Sequence, residues 1–565
     1  MNQELETSHS IRGRGACEPT ATAVRSLHRT RRALSVSVIL FPLLVLCSAA
    51  PSSARVWHVP AQIPGIQMAL DIAAPGDTVS VAAGLYHVQN PITMHRPRQT
   101  LMSEIARKTT ILGENYDVLI IINAAGCALT GLNLYQDIIT VVQVTDNCVD
   151  VTIAGNTIEG GAWGDGLLIF GTHTIVRGNE LRNLGVEVYM PAAVIEDNYV
   201  NGVGGIFAYA DCTIRRNSFV HCYSGDDMGN AGHGAAIFAA SLTRPIVIED
   251  NLFSDCVTIN FISDPDYPPS GGAVYLDGCA SAQISHNRFM RNQATLGGGL
   301  YARNSNVQIH GNLFHANTDS SYVPENPGRG RGGAIYLDNC SGLVDQNTVA
   351  HNVAMIDGGG VFVTGPLSPA LEQNIYYRNR SAGAAVSCAN QASPAIRCCD
   401  AFWNSGADYG GTCAGAGGGD ENFIANPYFC DEFAPEPDYS LRRDSPCMPD
   451  HSPPGCGLVG AYGVGYCSQA GVGDNVASNR ASTMCIQPNP CSGQTVISLR
   501  GVRLDHVLIE IHDAGGRRVR SARVTSMTWD GRDDQGRPVG DGVYFVRAIR
   551  NDGKEIARRA LVLIR

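Results

Sequence analysis

The residues with the clearest chemical potential sit in Ser224-Gly-Asp-Asp-Met-Gly-Asn-Ala-Gly-His-Gly234. Adjacent carboxylates at Asp226 and Asp227, followed six residues later by His233, are the groups of general acid/base chemistry. The same two carboxylates also suit a divalent cation such as Ca²⁺, although nothing in the chain requires a cofactor. Both halves of the motif lie in a single Gly-rich insertion, which fits a solvated turn or cation site better than a catalytic pair. Other bases are scarce. Lysine occurs only at Lys108 and Lys554, so amine base chemistry is excluded from the middle of the chain. Arg215 and Arg216 sit far from their pKa and read as a solvated face and a turn. His173, His286, His310 and His351 stand beside turns without metal-ligand spacing. No complete catalytic set emerges.

Three insertions, 221–232, 257–270 and 315–330, offer a different kind of site. They carry Tyr223, Phe261, Tyr267 and Tyr322 with Asp226, Asp227, Asp264, Asp266 and Glu325. Aromatic rings pack on sugars, and carboxylates take up sugar hydroxyls or Ca²⁺. The insertions must be placed together to act together, and the surrounding repeat does this.

The element Asn-x-apolar recurs from Asn156-Thr-Ile158 through Asn217-Ser-Phe219, Asn251-Leu-Phe253 and Asn287-Arg-Phe289 to Asn374-Ile-Tyr376. Between its copies lies a second element, as in Gly204-Gly-Ile-Phe207, Gly271-Gly-Ala-Val-Tyr275, Gly298-Gly-Leu-Tyr301 and Gly332-Gly-Ala-Ile-Tyr336. A third, such as Ala282-Gln-Ile284, leads into the next Asn. Three short β-rich stretches per turn of repeat, joined by Gly and Asn corners, describe a coil of a right-handed parallel β-helix. A propeller would need longer blades with diagnostic Trp and Asp pairs, and a leucine-rich solenoid would need its leucines. Because all three insertions fall between an Asn-x-apolar strand and the next Gly-Gly strand, they should line one edge of the solenoid.

Residues 63–73 have helical spacing and are expected to cap the first open coil. This cap, the Asn-x-apolar coils and the closing run Asn426-Pro-Tyr-Phe429, Asp438-Tyr-Ser-Leu441, Ser445-Pro446 and Gly460-Ala-Tyr-Gly463 resemble secreted bacterial β-helix proteins of the pectin-lyase-like superfamily. The resemblance covers about residues 55–468 and implies a fold shared by many activities. Polygalacturonase-type members carry an Asp-Asp pair and a Gly-His-Gly on neighbouring coils, together with Arg-x-Lys. Here Asp227 and His233 share one insertion and no lysine is available.

Export is expected. Arg29, Arg31 and Arg32 precede an apolar run from Leu34 to Leu46, too short to span a bilayer but suited to a signal peptide. Residues 1–54 are therefore read as leader, with cleavage after Ala50 or Ala54 and no transmembrane segment in the mature chain. In an oxidising compartment Cys388, Cys398, Cys399, Cys413, Cys430, Cys447, Cys456 and Cys467 form a disulfide-rich cluster, and Cys485 with Cys491 a further pair.

Residues 469–488 read as a linker and 489–565 as a small β-sandwich. Its run Trp529-Asp-Gly-Arg-Asp-Asp-Gln-Gly-Arg-Pro538, followed by Gly542-Val-Tyr544, resembles FlgD-type immunoglobulin-like domains. These are similar to C-terminal sorting domains of Gram-negative secreted proteins, which implies a cell-surface or extracellular location and contact with a secretion machinery. The net charge of −11 argues against duplex nucleic acid as a partner. It also averages two regions: 21 basic against 40 acidic residues over 55–494, and 14 against 9 over 495–565. The expected function is binding of a glycan or other cell-envelope polymer through the loop edge. The alternative is a polysaccharide lyase or glycosidase acting on a uronate-containing polymer.

Overall fold

The computed structural model describes residues 54–565 apart from 115–117, 137–139, 162–165, 226–231, 260–267, 320–329, 420, 435–436, 466, 468–482, 488–493, 501–506, 514–516, 524–525, 541, 551–554 and 564–565. Among these residues the chain winds through three parallel sheets of 14, 13 and 16 strands. The first sheet runs from Val56–Val59 to Ile396–Arg397, the second from Ile92–Met94 to Ser405–Gly411, and the third from Gly84–Val88 to Asp400–Phe402. Successive coils contribute a strand to each sheet, three of them adding a second short strand to the third, so the expected β-helix is the observed fold.

Period-2 alternation fills the interior. In Ile246–Glu249 the side chains of Ile246 and Ile248 are buried, while Val247 and Glu249 face outward. Equivalent inward positions stack from coil to coil: Phe219, Phe253, Phe289 and Phe314 lie ring on ring with centroids 5.0, 4.7 and 4.4 Å apart. Such offset stacks add to the burial of apolar area that dominates the core.

The corner between the first and third sheets is held by the repeated Asn. Asn217 donates its backbone N–H and its Nδ2 to Asn251 Oδ1, at 2.9 and 3.1 Å, and Asn251 does the same to Asn287. Each Asn Nδ2 also reaches back to a strand carbonyl, as Asn251 does to Ile214 at 2.8 Å. The buried side-chain amide of Asn251 is thereby paired at both its oxygen and its nitrogen. The residue before each Asn takes the left-handed conformation, for example Arg216 (φ 54°), Asp250 (φ 55°) and His286 (φ 55°). A second row, Asn292, Asn317, Asn352, Asn379 and Asn404, repeats the device five residues later.

The cap forms as expected. The helix Ile66–Ile72 buries Ile66, Ala69 and Leu70 over the first coil. Gln99 Nε2 donates to Leu70 O and Ala73 O, satisfying carbonyls at its C-terminal end. At the other end, the described residues of 423–465 lie as a strap over the outer face of the third sheet. Tyr439, Leu441, Cys447 and Val459 pack there with Met290, Leu313, Ile375 and Tyr377, forming a second apolar core.

Disulfides join Cys388 to Cys413, Cys398 to Cys456 and Cys430 to Cys467, the second tying the strap to the coils. Cys399 and Cys447 depart from the expected pairing and carry buried free thiols. Cys399 occupies the Asn position of its coil, and its N–H donates to Asn422 Oδ1. Cys447 donates instead to Asp400. The Cys485–Cys491 pair lies outside the described side chains.

Beyond the strap, Thr483–Gln487, Thr495–Arg500 and Ser526–Trp529 form one antiparallel sheet. A second sheet contains Val507–His512, Arg518–Arg523, Gly542–Arg550 and Glu555–Leu563. Their apolar faces share one core around Trp529, Ile509, Val546 and Leu561. The strand Thr483–Gln487 falls inside the stretch read as a linker, so the module begins earlier than 489.

Candidate functional site

The outer face of the second sheet gathers the groups that the sequence scatters. Register sets Phe207, Phe238, Tyr275, Tyr301, Tyr336 and Phe362 opposite one another on successive strands. Ring centroids from Phe238 to Phe362 are 5.1–5.4 Å apart. Two residues to the side, Phe170, Tyr189 and Tyr209 continue the run at 4.7 and 5.1 Å, and Tyr209 meets Phe238 at 6.5 Å. Eight successive coils therefore carry an outward aromatic ring, in two adjoining lines that meet at Phe238. The rings stack on each other, so their faces are shared and their edges and hydroxyls meet the surroundings.

The run has two halves. Tyr189 and Tyr209 keep 39% and 44% of their surface in solvent, whereas Tyr275 and Tyr301 keep 7% each. Burial pushes the phenols of Tyr275, Tyr301 and Tyr336 upward, the last to about 12, so all three are neutral hydrogen-bonding groups at ordinary pH. Beside them runs a charged row: Asp277, Arg303 and Asp338 on three consecutive strands. Arg303 donates to Asp277 through Nη2 at 2.6 Å and Nε at 3.3 Å. Burial raises the pKa of Asp338, against the lowering effect of Arg303 and with a further raise from Asp277.

Described residues that flank the insertions border this face. His233, Ser270, Leu296, Arg331 and Asp357 form a row of bridges along it. Close backbone approach there requires glycine: a Cβ on Gly298 would sit 2.4 Å from Gly333 O. The His233 ring stacks on Tyr275 at 4.6 Å, and its buried Nδ1 has no hydrogen-bond partner among the described residues. Burial and then Arg303 lower its pKa, so the imidazole is neutral. Arg331 lies over Phe362 at 5.5 Å. Tyr223 lies in the strand Ser218–Ser224, which leads into the first insertion. Asp226, Asp227, Phe261, Asp264, Asp266, Tyr267 and Tyr322 lie outside the described residues. At the base of the third insertion, burial raises the pKa of Asp319 to about 6, and its carboxylate accepts the Met355 N–H.

The arginines weighed as bases are committed elsewhere. Arg215 and Arg216 both pair with Glu196, and Arg216 also with Asp197 at 2.9 Å. His173, His286 and His351 take left-handed turn positions, in keeping with their reading as turn residues. The aromatic run and the Asp277–Arg303–Asp338 row escaped the sequence reading. Their signal was the aromatic residue that ends each Gly-Gly element.

The family model described as right handed beta helix region matches residues 107–317 and 257–426, more than half of the chain. The chain belongs to the right-handed β-helix family. No match is found among curated proteins. Among solved structures this β-helix is similar to pectate lyase Pel9A, with 11% identity, 73% of this chain and 97% of that chain covered, and a TM-score of 0.31. It is also similar to the A-module of the mannuronan C-5 epimerase AlgE6 of Azotobacter vinelandii, with 12% identity, 64% and 95% covered, and a TM-score of 0.33. PorZ, a surface component of the type-IX secretion system of Porphyromonas gingivalis, matches at 24% identity over 14% of this chain, with a TM-score of 0.13. The match spans only 11% of PorZ. At these identities a likeness concerns fold and carries no activity over.

Proposed function

We propose that this β-helix is an exported surface protein that binds a polysaccharide laid along the outer face of its second sheet. The single observation that supports this most is the aromatic run on eight successive coils. Over the exposed half of the run, a polymer lying parallel to the solenoid axis meets Tyr189 and Tyr209, one ring per coil at the strand spacing of roughly 4.8 Å. Phenols present an apolar body with a polar tip, which suits the mixed CH and OH surface of a sugar. Glu187 accepts the Tyr189 hydroxyl and adds a carboxylate for sugar hydroxyls. The C-terminal module, with its basic excess, serves sorting or attachment to an anionic cell envelope. Screening the full chain against a glycan array tests the reading, with Tyr209→Ala expected to weaken any ligand found by about tenfold.

A second reading, turnover, has one observation in its favour. Asp277 and Asp338 lie two coils apart, roughly 9.5 Å by strand spacing, near the upper end of the separation used by inverting glycosidases. Asp338 has the raised pKa of an acid, while Asp277 is ion-paired to Arg303. Release of reducing ends that vanishes in Asp338→Asn would establish it. Binding without turnover is favoured because Arg303 already occupies the carboxylate that would have to act as base.

A further inference from the structure

A second cluster lies far round the coil from the aromatic run, where the strap crosses the rim of the third sheet. Arg378 and Trp403 occupy equivalent left-handed corners of consecutive coils, with φ of 51° and 57°. For a bulky ring this is a strained place, and Trp403 is also 59% exposed there. The Arg378 guanidinium lies over the Trp403 ring at 4.5 Å and over Phe433 of the strap at 5.3 Å. Phe433 is 71% exposed. Beneath them Tyr377 OH accepts from Arg378 Nε at 2.9 Å and donates to Glu432 Oε1 at 2.8 Å. Glu432 Oε2 lies 3.3 Å from His351 Nε2.

A guanidinium stacked between rings uses its faces and leaves its N–H bonds directed outward in its plane. Nε is taken by Tyr377, and Glu432 approaches only to 3.8 Å of that same atom. The terminal nitrogens Nη1 and Nη2 have no hydrogen-bond partner among the described residues. Glu432 is already held by Tyr377 and His351, so it anchors the strap without drawing on these donors. Anchoring also does not require two aromatic rings to stand in water. The remaining donors form the fork that takes a carboxylate in two parallel hydrogen bonds, and the flanking rings offer apolar surface beside it.

We propose that Arg378, Trp403 and Phe433 form a binding site for a carboxylate-bearing sugar residue, a uronate. The carboxylate meets the Arg378 terminal nitrogens and the pyranose lies against the exposed ring surface of Trp403 or Phe433. Tyr377 and Glu432 position the guanidinium. This site shares no residue with the second-sheet face and does not rest on that reading.

Calorimetric titration of the full chain with trigalacturonate, and separately with cellotriose, tests the assignment. Trigalacturonate is expected to bind at least about tenfold more tightly than cellotriose, and Arg378→Met to lose about tenfold or more of that affinity. Phe433→Ala removes an exposed ring and is expected to weaken binding about three- to tenfold with an unchanged melting temperature. Tyr209→Ala, on the other face, is expected to leave this affinity intact, which separates failure of this site from failure of the second-sheet reading. No binding of trigalacturonate, equal binding of cellotriose, or undiminished binding by a folded Arg378→Met protein would each overturn the proposal.

Discussion

Asp400 Oδ2 accepts a hydrogen bond from Cys447 Sγ at 3.2 Å where the last strand of the third sheet meets the strap. Burial raises the Asp400 carboxyl to about 7, against lowering by the Ala425 N–H and Cys447. Its folded pKa lies above its unfolded value, so the protonated acid favours the folded state. That contribution is complete below about pH 4 and is lost as pH rises through 7, up to about 4 kcal/mol in all. Thermal melts should therefore show stability falling between about pH 4 and 7, and Asp400→Asn should flatten that fall.

His315 shifts the balance the other way. Its Nδ1 lies 2.7 Å from Tyr439 OH under the strap, and burial, then His351, Arg291 and Arg288, push its pKa down to about 4. The neutral imidazole favours the folded state, so this contribution is present above about pH 6.5 and is lost as pH falls through 4. Protease cleavage of the strap should rise below pH 5 in the parent protein, and His315→Gln should show less of this acid-dependent increase.

The corner rows are expected to be costly to break. Asn251→Ala strips two donors from their acceptor and leaves Ile214 O and the Asn217 N–H without side-chain partners. Each buried unsatisfied group costs about 1–3 kcal/mol, so denaturant unfolding should show a loss of about 2–5 kcal/mol. Asn404→Ala, at the half-buried end of the second row, should cost less.

That first row was legible because one short motif, Asn-x-apolar, recurs with one residue type at intervals of 19 to 36 residues. The second row, Asn292 to Asn404, was hidden because it sits outside the Asn-x-apolar element and follows residues as unlike as Arg291, Ala316 and Trp403. Cys399 misled for a related reason. In a cysteine-rich stretch it reads as a disulfide half, yet the coil uses it as a substitute for Asn. The strap has no periodicity, only Pro, Gly and Cys, so its seat on the third sheet could not be inferred. The aromatic ladder was visible as Tyr275, Tyr301 and Tyr336, but those residues served only as strand markers. Their outward direction follows from register, which one sequence does not display.

The Cys398–Cys456 bridge is the covalent tie between coil and strap. Replacing both cysteines with alanine is expected to cost about 2–4 kcal/mol. Hydrogen exchange should localise the loss to residues 423–465 and to the Leu313 and Ile375 strands beneath them, with the Phe219–Phe314 stack unaffected.

The central claim is that the second-sheet face holds a polymer along its aromatic run. Its most direct test is the affinity of the full chain for a polysaccharide identified by array screening, measured for the parent protein and for a Tyr189→Ala, Tyr209→Ala double variant. The account predicts a loss of about tenfold or more, with an unchanged melting temperature, because both rings are exposed and carry little of the core. Undiminished affinity in the folded double variant would contradict it.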